Sequence, residues 1–184
     1  MIDESERLVE AACAAESNIG GYGIWTHHIT EVARNGKRLA PLFEADAEVV
    51  EIAALLHDYA SVKDEALYAE HHIHGPVEAE KILTRLGYPP ARIDAVKHAI
   101  AAHRASVRVE RRSPEAVCLA NADAMTHIEQ VPSLMHLVFV QHGMGIDEGA
   151  AWVHAKLQRS WAKLHPDVQA LCRDKYEAAL KTLS

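Results

Sequence analysis

The sequence predicts an all-α protein, one compact helical domain over residues 1–184, and three observations carry that prediction. Apolar residues recur at helical spacing in nearly every segment. Apolar–polar alternation is almost absent, Val107-Arg108-Val109 being too short to form a strand. Proline and glycine punctuate the helical runs where short connections belong.

Each element follows in order. Leu8, Ala12 and Ala15 begin an N-terminal helix that fails near Gly20-Gly21 and Gly23. Ile24, His28, Val32 and Leu39 share one face of the next helix, which Asn35-Gly36 weakens midway and Pro41 ends. Asp46 is placed to cap a third helix, whose face includes Val49 or Val50, Ala53, Leu56 and His57. A polar connection then runs from Asp58 to about Glu70. Gly75-Pro76 marks a fresh helix start, with Val77, Ala79, Ile82, Leu83 and Leu86 on its apolar side and Gly87 at its end. Pro89-Pro90 opens a helix through Ile93, Val96, Ile100 and His103. A basic loop with Arg104, Arg108, Arg111 and Arg112 follows, and Ser113-Pro114-Glu115 restarts the helix carrying Val117, Ala120, Asp123 and Ala124. C-terminal helices over 131–182 present Leu134, Leu137 and Val138, then Val153, Leu157, Trp161 and Leu164, and after Pro166 Val168, Leu171, Tyr176 and Leu180.

Composition narrows the function. A net charge of −7 argues against a nonspecific nucleic-acid binder. Cys13, Cys118 and Cys172 are far apart, odd in number and without CxxC spacing, which suits buried thiols of a reducing compartment. The acidic N-terminus lacks the basic and apolar regions of a secretory signal, and no apolar run is long enough to cross a membrane. A cytoplasmic location is therefore expected. There is no Gly-rich phosphate loop after a strand, no GxSxG and no cysteine with an activating partner. The unusual feature is histidine, with 13 residues.

The central stretch is Ala53-Ala54-Leu55-Leu56-His57-Asp58, an apolar helical run ending in two strong ligands. Adjacent at a helix end, His57 and Asp58 can both face one ion. His28 lies on the buried stripe of an earlier helix, four residues before Val32. Asp123 sits among small apolar residues, where an unpaired carboxylate would be costly and a cation would relieve it. Each residue alone has a plainer reading, a hydrogen-bonded core histidine or a capping aspartate. The ordered set His28, His57-Asp58, Asp123 is better explained by a shared metal. Imidazole with carboxylate suits divalent transition ions (Mn, Fe, Co, Ni or Zn), with Mg allowed.

This ordered pattern resembles the HD-domain superfamily of metal-dependent phosphohydrolases. The resemblance covers about residues 24–127 and includes His28-Ile29-Thr30-Glu31-Val32, the Ala53–Asp58 run and Ala122-Asp123-Ala124. It implies a helical fold and a metal held by His28, His57, Asp58 and Asp123, with His28 favoured over His27 by the spacing to Val32. Some members add histidines that hold a second metal or contact phosphate. Here the candidates are His71, with His72 its immediate rival and His74 a flanking residue, and His103; His98 is expected to face elsewhere. One metal is expected and two are possible.

The resemblance also implies hydrolysis of a phosphate ester, from a nucleotide or another small phosphorylated metabolite, by metal-activated water. Asp58 is the candidate catalytic residue, orienting that water or accepting its proton. Lys63 and Arg104 are candidates for neutralising phosphate oxygens, against a plainer reading as solvated surface charges. His127, His136, His142, His154 and His165 fall outside the pattern and are expected at the surface or in caps. Two rivals remain open: a two-iron HD-fold oxygenase, and a non-catalytic metal or nucleotide sensor. Oligomeric state is not legible.

Overall fold

In the computed structural model, every regular element among the described residues, 1–18, 20–104 and 109–183, is helical. Val107 and Arg108, named above for a short alternation and a basic loop, lie outside the described residues. The helices are α1 (Ile2–Cys13), α2 (Thr30–Leu39), α3 (Ala47–Leu56), α4 (Tyr59–Lys63), α5 (His71–Arg85), α6 (Pro90–Ala102), α7 (Pro114–Glu129), α8 (Val131–His136), α9 (Ile146–Lys163) and α10 (Pro166–Thr182). Wider π-helical turns precede α2 at Trp25–Ile29 and follow α8 at Leu137–Gln141. No helix is long and apolar enough to cross a membrane.

The fold is built around α3. Asp46 caps it, its carboxylate accepting from the backbone N–H groups of Glu48 and Val49. From Val49 to Leu56 every residue is buried, because α1, α2, α6 and α7 enclose the helix. Ile52, Leu55 and Leu56 have no exposed surface, and removing each such side chain from water contributes roughly 1.5–3 kcal/mol. Ser113 caps α7 by accepting from Ala116 N–H, and α7 is buried almost as completely from Ala116 to Ile128. Helices α2, α6, α9 and α10 pack against it.

Three local expectations are corrected. Asn35-Gly36 does not weaken α2. A Cβ on Gly36 would meet Val50 Cγ1 at 2.8 Å, so the glycine permits close approach of α2 to α3. Asn35 is buried and donates to Thr126 Oγ1 and Glu129 Oε2, tying α2 to α7. The stretch after Asp58 is not a plain polar connection but holds α4 and a short 3-10 turn at Glu65–Leu67. Finally, α5 starts at His71, and Pro76 lies inside it. The segment His71–His74 is therefore a helical turn, with its histidines fanned around the axis.

The N-terminal helix ends at Cys13, and Gly87 closes α5 with a φ of 73° as a glycine terminus should. All three cysteines are buried and free. Trp161 stacks on Tyr176, their ring centroids 4.2 Å apart, and pins α9 to α10. His165 caps α10 by accepting from Asp167 N–H, as expected of a histidine outside the motif.

Candidate metal centre

Five elements converge on one cluster. The π-turn before α2 brings His28, and Thr30 Oγ1 donates to the Trp25 carbonyl within that widened turn. His27 points outward and is exposed, whereas His28 Nε2 lies 3.1 Å from His57 Nε2. His57 is the C-terminal cap of α3 and Asp58 follows it, so the break between α3 and α4 turns both side chains the same way. Helix α5 supplies His71, the end of α6 supplies His103, and α7 supplies Asp123.

Asp58 is the hub. Its Oδ2 lies 3.2 Å from the Nε2 atoms of both His28 and His57, and its Oδ1 lies 3.4 Å from His71 Nε2. Among the described residues, ligand atoms of His28, His57 and Asp58 form one group able to hold an ion, those of Asp58, His71 and His103 a second, and those of His28, Asp123 and His127 a third. Asp123 Oδ1 stands 3.9 Å from His28 Nε2 on the first side.

Tautomers indicate what these groups are set to bind. Nδ1 of His57, His71 and His103 lies 2.6, 2.7 and 2.6 Å from the carbonyls of Ala54, Tyr68 and Ile100 respectively. A carbonyl only accepts, so Nδ1 carries a proton in each ring and Nε2 is the nitrogen turned toward the cluster, where its lone pair is the one a metal would take. Fixing one ring nitrogen through a backbone acceptor is the usual support for a metal-bound histidine. Lone pairs converging between two carboxylates need a cation, and the nitrogen–oxygen donor set suits a divalent transition ion.

Electrostatics agree. Burial alone would lower the pKa of His57, but the charge and hydrogen bond of Asp58, aided by Asp123, raise it to about 9. Without metal, a proton occupies the place of the cation. Burial and the neighbouring His57 charge push His103 down to about 3, so its ring stays neutral. Burial opposes ionisation of Asp58, yet the charge of His57 and hydrogen bonds from His28 and His57 hold it well below the usual carboxylate range. Burial likewise opposes ionisation of Asp123, and His127, Lys163 and His103 outweigh it.

The structure separates the neighbours that sequence left together. Of the histidines at 71–74, His71 reaches the cluster. His72 instead turns its Nδ1 to Arg104 Nη1 at 3.3 Å, and His74 is half-buried beside Glu70. Arg104 also donates to the Ala69 carbonyl. Lys63 is exposed and paired with Glu78 at 2.8 Å. His98 faces elsewhere, accepting from Arg112 N–H.

One expectation is overturned: His127 is neither at the surface nor a cap. It is buried, stacks on His28 at 5.4 Å, and places Nε2 3.5 Å from Asp123 Oδ1. Its Nδ1 is 3.2 Å from Ser160 Oγ. Lys163, not singled out from sequence, donates to Asp123 Oδ2 at 2.8 Å and to the His103 carbonyl at 3.0 Å. A four-residue step from Asp123 to His127 along one helix face is a signal that sequence held; the placement of Lys163 had none.

An all-helical fold with a buried His/Asp cluster of this order defines a class, the HD-type metal-centre proteins. The HD domain model matches residues 25–127, more than half of the chain, and the chain belongs to the HD-domain family. Two crystal structures of Bacillus subtilis YpgQ are similar to it. The one described as a complex with ADP has a TM-score of 0.71 at 22% identity, covering 100% of this chain and 94% of that one. The other has a TM-score of 0.72 at 21% identity, covering 99% and 91%. A Lactobacillus plantarum protein gives a TM-score of 0.70 at 16% identity, covering 99% and 92%. These likenesses speak to the fold. No curated protein matches the chain by sequence.

Proposed function

We propose that this protein is a metal-dependent phosphohydrolase that cleaves a phosphate ester of a nucleotide or another small phosphorylated metabolite, the whole chain acting as one unit. The observation that carries the reading is Asp58, whose two oxygens face two separate groups of imidazole nitrogens. In this reading His28, His57, Asp58 and Asp123 hold one divalent ion, and Asp58, His71 and His103 hold a second. Ions so held supply Lewis acidity, polarising a phosphoryl oxygen and acidifying water.

The chain's own groups do the rest. Asp58 stays ionised at working pH, so it accepts a hydrogen bond from the attacking water and orients it. Lys163 anchors Asp123 Oδ2 and leaves Oδ1 turned toward His28. Arg104 uses Nη1 to hold the Ala69 carbonyl and His72, which keeps its remaining N–H groups for phosphate oxygens. Lys63 is exposed and matched by Glu78, so it would reach a phosphate oxygen only by leaving that pair. Membership of the HD-domain family and a fold shared with a protein described in complex with ADP support a small phosphorylated ligand. An intracellular location fits such a substrate.

The test is a panel of phosphorylated metabolites with Mn²⁺, Fe²⁺, Co²⁺, Ni²⁺, Zn²⁺ or Mg²⁺, followed by ³¹P NMR. Metal-dependent cleavage of at least one phosphate ester is expected; inertness toward the whole panel with metal bound would point to a sensor. A two-iron oxygenase needs the same second group, Asp58, His71 and His103, which the fold brings together. Oxygen uptake with Fe(II) and no phosphate release would favour that reading.

A further inference from the structure

We propose that Lys156 is a further residue that receives the phosphate of the substrate, from a helix that lies beyond the matched HD segment. This deepens the hydrolase reading and rests on it. Helix α9 packs along α7, and Val153, Leu157 and Ser160 are buried on its inner side. Lys156, Ser160 and Lys163 are spaced four and then three residues apart, so they share one face of α9. That face meets the metal cluster at two known points, Ser160 beside His127 and Lys163 on Asp123. Lys156 is one turn before Ser160, and its charge is felt by Asp123, Asp58 and His127.

The two lysines are in different states. Lys163 is nearly sealed, its side chain 5% exposed, and its ammonium is occupied by Asp123 and the His103 carbonyl. It is a positioning residue. Lys156 is partly buried, and among the described residues no acceptor lies within hydrogen-bonding or ion-pair distance of it. Burial and the neighbouring Lys163 charge work against its protonated form, with Asp123 in partial compensation.

A half-buried ammonium without an acceptor is unfavourable, and it becomes more so once divalent ions sit between the two carboxylates. The complement to such an arrangement is an anion that reaches both the ions and the lysine. A phosphoryl group has the charge and the several acceptor oxygens to do so. Partial exposure leaves Lys156 within a ligand's reach, which Lys163 is not.

Inorganic phosphate, titrated calorimetrically into the Mn²⁺-loaded protein, is the probe. Wild type should bind it, and Lys156→Met should bind about ten- to a hundred-fold more weakly, the usual weight of one charged hydrogen bond. Lys156→Arg should stay within a few-fold of wild type. Manganese content should be unchanged and the Tm of Lys156→Met should not fall, since the variant removes an unpartnered charge. Phosphate binding by Lys156→Met as tight as wild type would overturn the assignment and leave the hydrolase reading standing. Loss of manganese from Lys156→Met would make the lysine a prop of the metal site and also overturn it. A wild-type manganese protein that binds no phosphate would overturn both.

Discussion

His57 carries its proton up to about pH 9 in the metal-free protein, well above its ordinary value of 6.5. A raised folded-state pKa stabilises the metal-free fold fully below pH 6.5, and this contribution is lost as pH rises through 9. Metal binding has the opposite sign, because a ligand needs the lone pair that the proton holds. Apparent Mn²⁺ affinity should rise about tenfold per pH unit from neutrality toward pH 9, with proton release on loading. Competition titrations between pH 6.5 and 8.5 check this, and an affinity flat with pH would remove His57 from the ligand set. At this scale His28, His57, Asp58 and Asp123 were legible because each breaks an apolar pattern at a recognisable spacing. The choice of His71 over His72 was not, since neighbouring residues on a helix diverge by roughly a quarter turn and the helix start was misplaced. Lys156, Ser160 and Lys163 resemble any residues of an amphipathic helix until α9 is docked on α7.

Helix ends were legible where a side chain or a glycine makes them, as at Asp46, Ser113 and Gly87. They were not legible where packing decides. Gly75-Pro76 has the chemistry of a helix start, yet α5 begins a turn earlier and carries His71 with it. The role of Gly75 is close approach: a Cβ there would meet Ile100 Cγ2 at 3.0 Å and the His57 carbonyl at 3.3 Å. Gly75→Ala should gain about 1 kcal/mol in helix propensity and lose about 1–3 kcal/mol in overpacking. The displacement of α5 should draw His71 away from Asp58. Bound manganese should fall in the second group while the first is kept, as metal analysis would read. Full retention of both ions would show that α5 accommodates the methyl without moving.

Across the whole molecule, α3 and α7 form the buried axis, and five chain segments separated widely in sequence deliver ligands to it. A bound metal would therefore add a tie between elements that elsewhere meet through apolar packing and a few polar contacts, such as those of Asn35 with Thr126 and Glu129. An ion that binds the folded chain alone contributes about 2.7 kcal/mol when free metal is a hundredfold above its Kd. For a chain of this size that is about 5–10 °C in Tm. Thermal unfolding with Mn²⁺ and with a chelator should differ by that amount; identical curves would mean that the cluster binds no ion in solution. The all-helical architecture was legible from helical periodicity, whereas the partnership of α7 with α9 is a long-range contact that periodicity does not encode.

The most direct test of the account is metal content and ³¹P-detected turnover measured together on wild type and Asp58→Ala. The hub position of Asp58 predicts that wild type holds divalent metal and cleaves a phosphate ester, and that Asp58→Ala loses both while remaining folded by circular dichroism. A folded Asp58→Ala protein that keeps its metal and its turnover would contradict the account.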